Sequence, residues 1–267
     1  MRWSEPAPAK LNLALHVRHR RDDGYHDLET LFAFCTDGDW LHAEQSDLLS
    51  LTIEGPFAAE LSADGDNLVL RAARALAVAA AVEPRLKLTL DKQLPVASGI
   101  GGGSADAAAT LRLLTRLWSV DPAHAAAVAP MLGADVPACL LSMTARAAGV
   151  GERLELIDAV DSGTPVLLVN PNVGLSTAAV FAAWDGVDRG PLGDWREGRN
   201  DLEAPARALV PAIGEVIHWL ELQPGAAFAR MSGSGATCFA LFDTEQSRNA
   251  AASLCPDKWW NLPTFLR

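Results

Sequence analysis

Residues 95–105 read Pro95-Val96-Ala97-Ser98-Gly99-Ile100-Gly101-Gly102-Gly103-Ser104-Ala105, and Gly99, Gly101, Gly102 and Gly103 put four glycines into five positions. Glycine lacks a Cβ, so such a run can take positive φ and bring its backbone against a ligand. A helical pattern starts at Ser104, a residue type that caps helices, and Ala107, Ala108 and Ala109 carry it on. A glycine turn feeding a helix N-terminus aims free N–H groups and the positive end of the helix dipole at one point, which is the chemistry of anion and phosphate binding. Two familiar nucleotide loops do not fit these letters. A Walker loop ends in Gly-Lys-[Ser/Thr], but no Lys lies between Pro95 and Leu114; a dinucleotide fingerprint counted from Gly99 puts Ser104 where its last glycine belongs.

Other residues with chemical potential are scattered. Lys10 and Asn12 alternate with Leu11, Leu13 and Leu15, so a strand with one buried face would place them side by side on the other face. Arg18, His19, Arg20 and Arg21 precede Asp22-Asp23-Gly24, a hairpin-turn signal whose basic tip suits either an anionic substrate or plain solvation. Tyr25, the only tyrosine, stands beside His26 and can stack on a planar ligand or pack at an edge. Asp135, in Gly133-Ala134-Asp135-Val136-Pro137, stands where an aspartate caps a helix that Pro137 would begin; these letters leave a cap and a chemical role equally open.

Composition narrows the classes. A formal charge of -11, from 22 basic and 33 acidic residues, argues against a broad nucleic-acid or anionic-membrane surface. The N-terminal letters show no apolar signal segment, and the Ala/Val-rich stretch at residues 72–82 is too short to span a bilayer and interrupted by Arg74, so the expectation is a soluble, cytoplasmic protein with no membrane partner. Cys35, Cys139, Cys238 and Cys255 form no Cys-x-x-Cys pair and the six histidines no His-x-x-x-His pair, which leaves a zinc site with little support.

The elements that must hold these residues alternate. Strands are expected at residues 7–17, 28–34, 48–53 and 86–90, and helices at 67–82, from 104 through Trp118, and at 122–131. The second half offers a hydrophobic strand opening at Pro165, a Gly/Pro/Asp-rich linker at 185–198 and a helix start at Asn200-Asp-Leu-Glu203 with capping-box spacing. A strand, a second glycine turn and another strand follow at 228–242, and a closing helix at 245–254. A length of 267 residues and a 49% hydrophobic content suit a two-part α+β or α/β chain.

Three separated stretches together resemble the GHMP small-molecule kinases: Pro95 to Ala105 their phosphate loop, Pro8-Ala-Lys10-Leu-Asn12 their first motif, and Met231-Ser-Gly-Ser-Gly-Ala236 their third. Asp23-Gly24-Tyr25-His26, Gly133-Ala-Asp135-Val-Pro137 and Asn200-Asp-Leu-Glu203 are similar to the members that phosphorylate the 2-hydroxyl of a cytidine-diphosphate-linked polyol in the non-mevalonate route to isoprenoids. The resemblance implies an α+β fold with an N-terminal ribosomal-protein-S5-like domain at 1–155, a C-terminal ferredoxin-like domain at 156–267 and an active site between them. It implies ATP and Mg²⁺ as cofactors, and ATP and the polyol as small-molecule partners. Asp135 would be the base and Lys10 the cation beside it and the phosphates. Residues 95–105 would wrap the ATP phosphates, Asn67 and Lys92 would lie at the adenosine end, and Ser104 would help to hold Mg²⁺. Asn12 and Thr177 would contact the acceptor, Tyr25 and Phe181 would sandwich its cytosine, and His26 would read the base edge. Ile100 and Ala105 depart from the family's usual Leu and second Ser, which removes a hydroxyl at 105. A homoserine- or mevalonate-type kinase, or a nucleotide-binding protein without catalysis, are the other readings; the presence of both Lys10 and Asp135 speaks against the last.

Overall fold

The computed structural model describes residues 2–267. The chain packs as two compact units, each drawn from separate stretches of the sequence: residues 2–9, 37–96 and 101–142 form one, and residues 10–36, 97–100 and 143–267 the other. Strands β1 (Arg2–Arg20) and β2 (His26–Gln45) therefore each contribute to both.

In the first unit, β3 (Ser50–Glu54) runs parallel to β4 (Leu86–Asp91), and β4 pairs antiparallel with the Trp40 to Gln45 end of β2. Helices α1 (Leu68–Ala79), α2 (Gly102–Trp118), α3 (Pro122–Leu132) and α4 (Val136–Leu141) complete it. Asn67 caps α1, accepting the Val69 N–H at 2.9 Å, and Leu70, Ala73, Leu76 and Ala77 on its apolar stripe are buried. Alanine dominates the start of α2, where Ala105, Ala107, Ala108 and Ala109 are at most 1% exposed; small side chains let α1 and α4 pack against it closely.

In the second unit, the Leu28 to Phe32 part of β2 pairs antiparallel with β5 (Ala145–Gly149), which pairs with β6 (Arg153–Leu156). A four-stranded antiparallel sheet runs in the order β10 (Trp260–Phe265), β7 (Pro165–Asn170), β9 (Cys238–Phe242), β8 (Ala226–Met231). With α7 (Ala212–Glu221) between β7 and β8 and α8 (Glu245–Ser253) between β9 and β10, this is the strand order expected of a ferredoxin-like half. Its core joins Leu167, Val169, Ile213, Val216 and Phe242 to Leu15 and Val17 of β1. The Leu15 N–H also donates to the Arg199 carbonyl at 2.8 Å, and the Asp201 N–H to the Leu15 carbonyl at 2.9 Å. Short helices α5 (Thr177–Ala182) and α6 (Glu203–Leu209) fill the connections.

Three local expectations change. Helix α2 begins at Gly102, two residues before Ser104, with Gly101 as a left-handed N-cap (φ 66°), so Ser104 lies inside the first turn and caps nothing. Helix α6 begins at Glu203 after Leu202; Asn200 Oδ1 accepts the Leu202 N–H at 3.0 Å in the turn before it, and its amide also donates to the Met231 and Gly233 carbonyls at 2.8 Å each. In β1, residues 7–15 are buried on both faces, so strict alternation does not describe the strand.

Candidate active site

In the first unit, the N-terminus of α2 leaves the N–H groups of Gly102, Gly103 and Ser104 without a preceding helical carbonyl, as every helix does in its first turn. Positive φ occurs at Gly101 (66°), the N-cap of α2, and in the second unit at Ala97 (50°) and Gly99 (78°). The glycines also face internal neighbours that the letters do not reveal. A Cβ on Gly102 would stand 3.0 Å from Lys92 Nζ and one on Gly103 3.3 Å from a Leu68 methyl, so both point into the unit's packing. Gly99 belongs to the second unit, where its Cβ would fall 2.5 Å from the Ser232 carbonyl oxygen.

Lys92, expected near adenosine, has its side chain under the run, 2% exposed, between Asp39 and Asp106. Burial pushes the Asp106 carboxyl up to about 7 against the opposing pull of Lys92. Asn67 uses its amide N–H on the Ser62 carbonyl at 2.9 Å and its oxygen on the helix cap. Asp135 is half-buried and immediately precedes α4; its backbone carbonyl accepts the Cys139 N–H at 3.0 Å, but its side chain does not cap the helix. The arrangement that holds α4 was not visible in the letters: Arg112 on α2 donates to the Cys139 carbonyl, the Pro6 carbonyl and Glu5 at 2.6 to 2.7 Å.

In the second unit, Lys10 and Asn12 are each 3% exposed, which excludes a solvated strand face. Lys10 Nζ donates to Asn12 Oδ1 at 2.9 Å and lies 4.7 Å over the Phe32 ring. Asn12 Nδ2 donates to Thr30 Oγ1 at 2.8 Å, and that hydroxyl donates to the Ala14 carbonyl, so a donor on one side and an acceptor on the other fix which way the Asn12 amide points. The Asn12 N–H donates to Ser232 Oγ, and Ser232 Oγ to the Gly99 carbonyl at 3.0 Å, tying the first strand to both glycine turns. Thr30 and Ser232 were missed by sequence reasoning; only the placement of Ser232 in a glycine turn hinted at it.

The aromatic cluster differs in membership from the expected one. The His26 ring stacks on Phe181 at 4.8 Å and meets Trp184 edge-on at 5.6 Å, while Tyr25 is 62% exposed. Burial first, and then the neighbouring Arg20, hold His26 below its ordinary pKa, so it is neutral and offers one ring donor and one ring acceptor. Thr177 and Ser234 share a hydroxyl hydrogen bond at 2.9 Å. The basic hairpin tip is largely compensated: Arg18 pairs with Glu29 and Asp188, His19 with Asp27, and Arg21 with Asp23 and Asp27. Among the described residues no three His, Cys, Asp or Glu side chains converge to hold a metal, and no helix is long and apolar enough to cross a membrane.

Comparison with known proteins accounts for this combination of a glycine run, a capped α1 and a ferredoxin-like half. The family model of the GHMP kinases N terminal domain matches residues 67–143, and that of the GHMP kinases C terminal matches residues 187–259. A 4-diphosphocytidyl-2-C-methyl-D-erythritol kinase of Rhizorhabdus wittichii is 55% identical, over 100% of this chain and 98% of its own. One of Novosphingobium aromaticivorans is 51% identical, over 100% and 94%. A crystal structure of 4-(cytidine 5'-diphospho)-2C-methyl-D-erythritol kinase superposes with a TM-score of 0.85 at 35% identity, covering 100% of this chain and 99% of the other. Homoserine kinase from Cytophaga hutchinsonii, at TM-score 0.72 and 16% identity, shares the fold. With family models on both halves and relatives matched along its whole length, the chain belongs to the GHMP kinases, in the family of the 4-diphosphocytidyl-2-C-methyl-D-erythritol kinases.

Proposed function

We propose that the chain transfers the γ-phosphate of ATP to the 2-hydroxyl of 4-diphosphocytidyl-2-C-methyl-D-erythritol, a step of the non-mevalonate route to isoprenoid precursors. The observation that carries this reading is the 55% identity, over the full chain, to a relative of that name. The homoserine and mevalonate kinases, at 16% and 11% identity, share only the fold.

In this reading the first-turn N–H groups of α2 bind the ATP phosphates, and Asp135 accepts the proton of the acceptor hydroxyl. Lys10 supplies positive charge to the transferring group. Phosphoryl transfer passes through a loose transition state, so positioning and charge neutralisation carry more of the rate than proton abstraction. Neutral His26 reads the polar edge of the cytosine, with Phe181 and Tyr25 as stacking surfaces and Asn12 and Thr177 toward the polyol. Mg²⁺ would come bound to ATP oxygens and neutralise phosphate charge; the Ser104 hydroxyl, a hard oxygen donor in the first turn of α2, fits such a cation. Asp106, two residues on, is taken up by Lys92.

The test is a phosphotransfer assay comparing the cytidyl polyol with homoserine and mevalonate, on wild type and Asp135→Asn. Wild type should use only the first, and Asp135→Asn should lose about 10²–10⁴-fold in kcat at unchanged ATP affinity. Turnover of homoserine or mevalonate at comparable kcat/KM would overturn the substrate, and near-normal turnover by the variant would overturn the base.

A further inference from the structure

In the first unit, the glycine run has two feet: residues 92–94, where the chain leaves β4, and residues 102–106, where it enters α2. One buried charge cluster touches both. The Lys92 ammonium donates to Asp39 Oδ2 at 2.6 Å and to Asp106 Oδ2 at 2.8 Å. Asp39, on β2 and fully buried, uses its other oxygen to accept the N–H groups of Gln93 at 2.6 Å and Leu94 at 2.8 Å. Asp106 stands in the second turn of α2, and its Oδ1 has no hydrogen-bond partner. The ammonium lies so close to Gly102 that a Cβ there would be 3.0 Å from it.

Two carboxylates sharing one ammonium away from water is an inefficient way to stabilise a fold, because desolvation offsets most of the attraction and one oxygen is left unsatisfied. What such a cluster supplies is fixed geometry, since its members are held by several directional bonds at once. Here those bonds join β2, the exit of β4 and the first two turns of α2. We propose that Lys92, Asp39 and Asp106 are positioning residues that clamp the two feet of the glycine run, presetting the first-turn N–H groups of α2 for the phosphates of ATP. The assignment rests on reading this run as the ATP phosphate loop. It also bears on the glycine at position 102: a side chain there would press on an ammonium held by two carboxylates.

The experiment measures binding of a non-hydrolysable ATP analogue by calorimetry, with steady-state kinetics, on wild type, Asp106→Ala, Asp106→Asn and Asp39→Asn. Asp106→Ala removes one anchor of the clamp, and Asp39→Asn sets an amide NH2 donor against either the ammonium or the Gln93 and Leu94 N–H groups. Both should weaken the analogue about 10- to 100-fold, the scale of an ångström of misplacement, with the acceptor KM unchanged. Asp106→Asn keeps an oxygen for Lys92 and adds a donor toward Asp39, and should stay within about threefold of wild type. Wild-type analogue affinity in folded Asp106→Ala, or Asp106→Asn as damaged as Asp106→Ala, would overturn the clamp. Should Asp106→Ala fail to fold, Asp39→Asn decides in its place. Amide chemical shifts of residues 101–105 on adding the analogue separate the two readings. No shift in wild type would mean that the phosphates bind elsewhere, whereas a shift with unaltered affinity in both Asp106→Ala and Asp39→Asn would fell the clamp alone.

Discussion

Gly99 and Gly102 stand in one run of the chain, yet different neighbours require them. Gly99 has φ +78°, and a Cβ on it would meet the backbone of Ser232 and Gly235 at 2.5 to 2.8 Å. Gly233 returns the fit, its own Cβ position falling 2.8 Å from the Gly99 carbonyl oxygen. Backbone meets backbone there, and nothing can yield. Gly102 has ordinary helical geometry, and its nearest neighbour is the tip of a lysine. One half of the run is thus glycine for its own conformation and a main-chain interlock, the other for the sake of a buried cation. A glycine-rich motif can satisfy a ligand and still owe each of its glycines to internal packing.

Substitution should separate these cases. Gly99→Ala combines a left-handed alanine with a main-chain clash, and we expect a loss of roughly 2–5 kcal/mol in thermal or denaturant unfolding. Gly102→Ala gains helix propensity of about 1 kcal/mol against the displacement of Lys92, so its net effect on stability should lie within about 1 kcal/mol of zero. Equal losses at the two positions would erase the distinction.

Acid should act on the second unit through His16. Its Nδ1–H donates to the Gly190 carbonyl at 3.1 Å and its Nε2 accepts the Arg199 N–H at 3.2 Å, so both ring nitrogens are committed to the neutral form. Burial, with a smaller contribution from Arg199, lowers its pKa. A histidine whose folded pKa is depressed gives stability that is complete above its unfolded pKa and is lost as pH falls through the folded one. The melting temperature should therefore fall by about 2–4 °C, or roughly 1 kcal/mol, between pH 7.5 and 5.5, and this step should vanish in His16→Asn. An identical acid slope in that variant would remove His16 from the account.

Much of this was legible in the letters because it is local. Alternation marked β4, a hydrophobic run marked β9, and an Ala-rich stretch marked α1. The glycine run announced a helix N-terminus, although its first residue is Gly102 rather than Ser104. Strands β5 and β10 were not read, since Ala145 to Gly149 is nearly all small residues and the last strand contains Pro263 on a sheet edge. Asp39 and Lys92 are 53 residues apart in sequence, and only folding reveals them as partners. One clue to that cluster was present: Asp106 is a lone acid in a run of alanines that α2 buries. The stacking of His26 on Phe181 was beyond reach because it joins a hairpin tip to a six-residue helix.

The interleaving of the second unit bears on how the chain is made. Leu15 and Val17 emerge early from the ribosome, but the core they enter is lined by Leu167, Ile213 and Phe242, and the sheet of that core closes only with β10. At about 5–20 residues per second, an apolar N-terminal strand pair must wait on the order of ten seconds or more for its partners. The first unit, whose last residue is Ser142, waits about half as long. Synthesis should therefore pass through a stage in which one unit can form while Leu15 and Val17 still lack the core they enter, and that is the stage at which a chaperone would have something to hold.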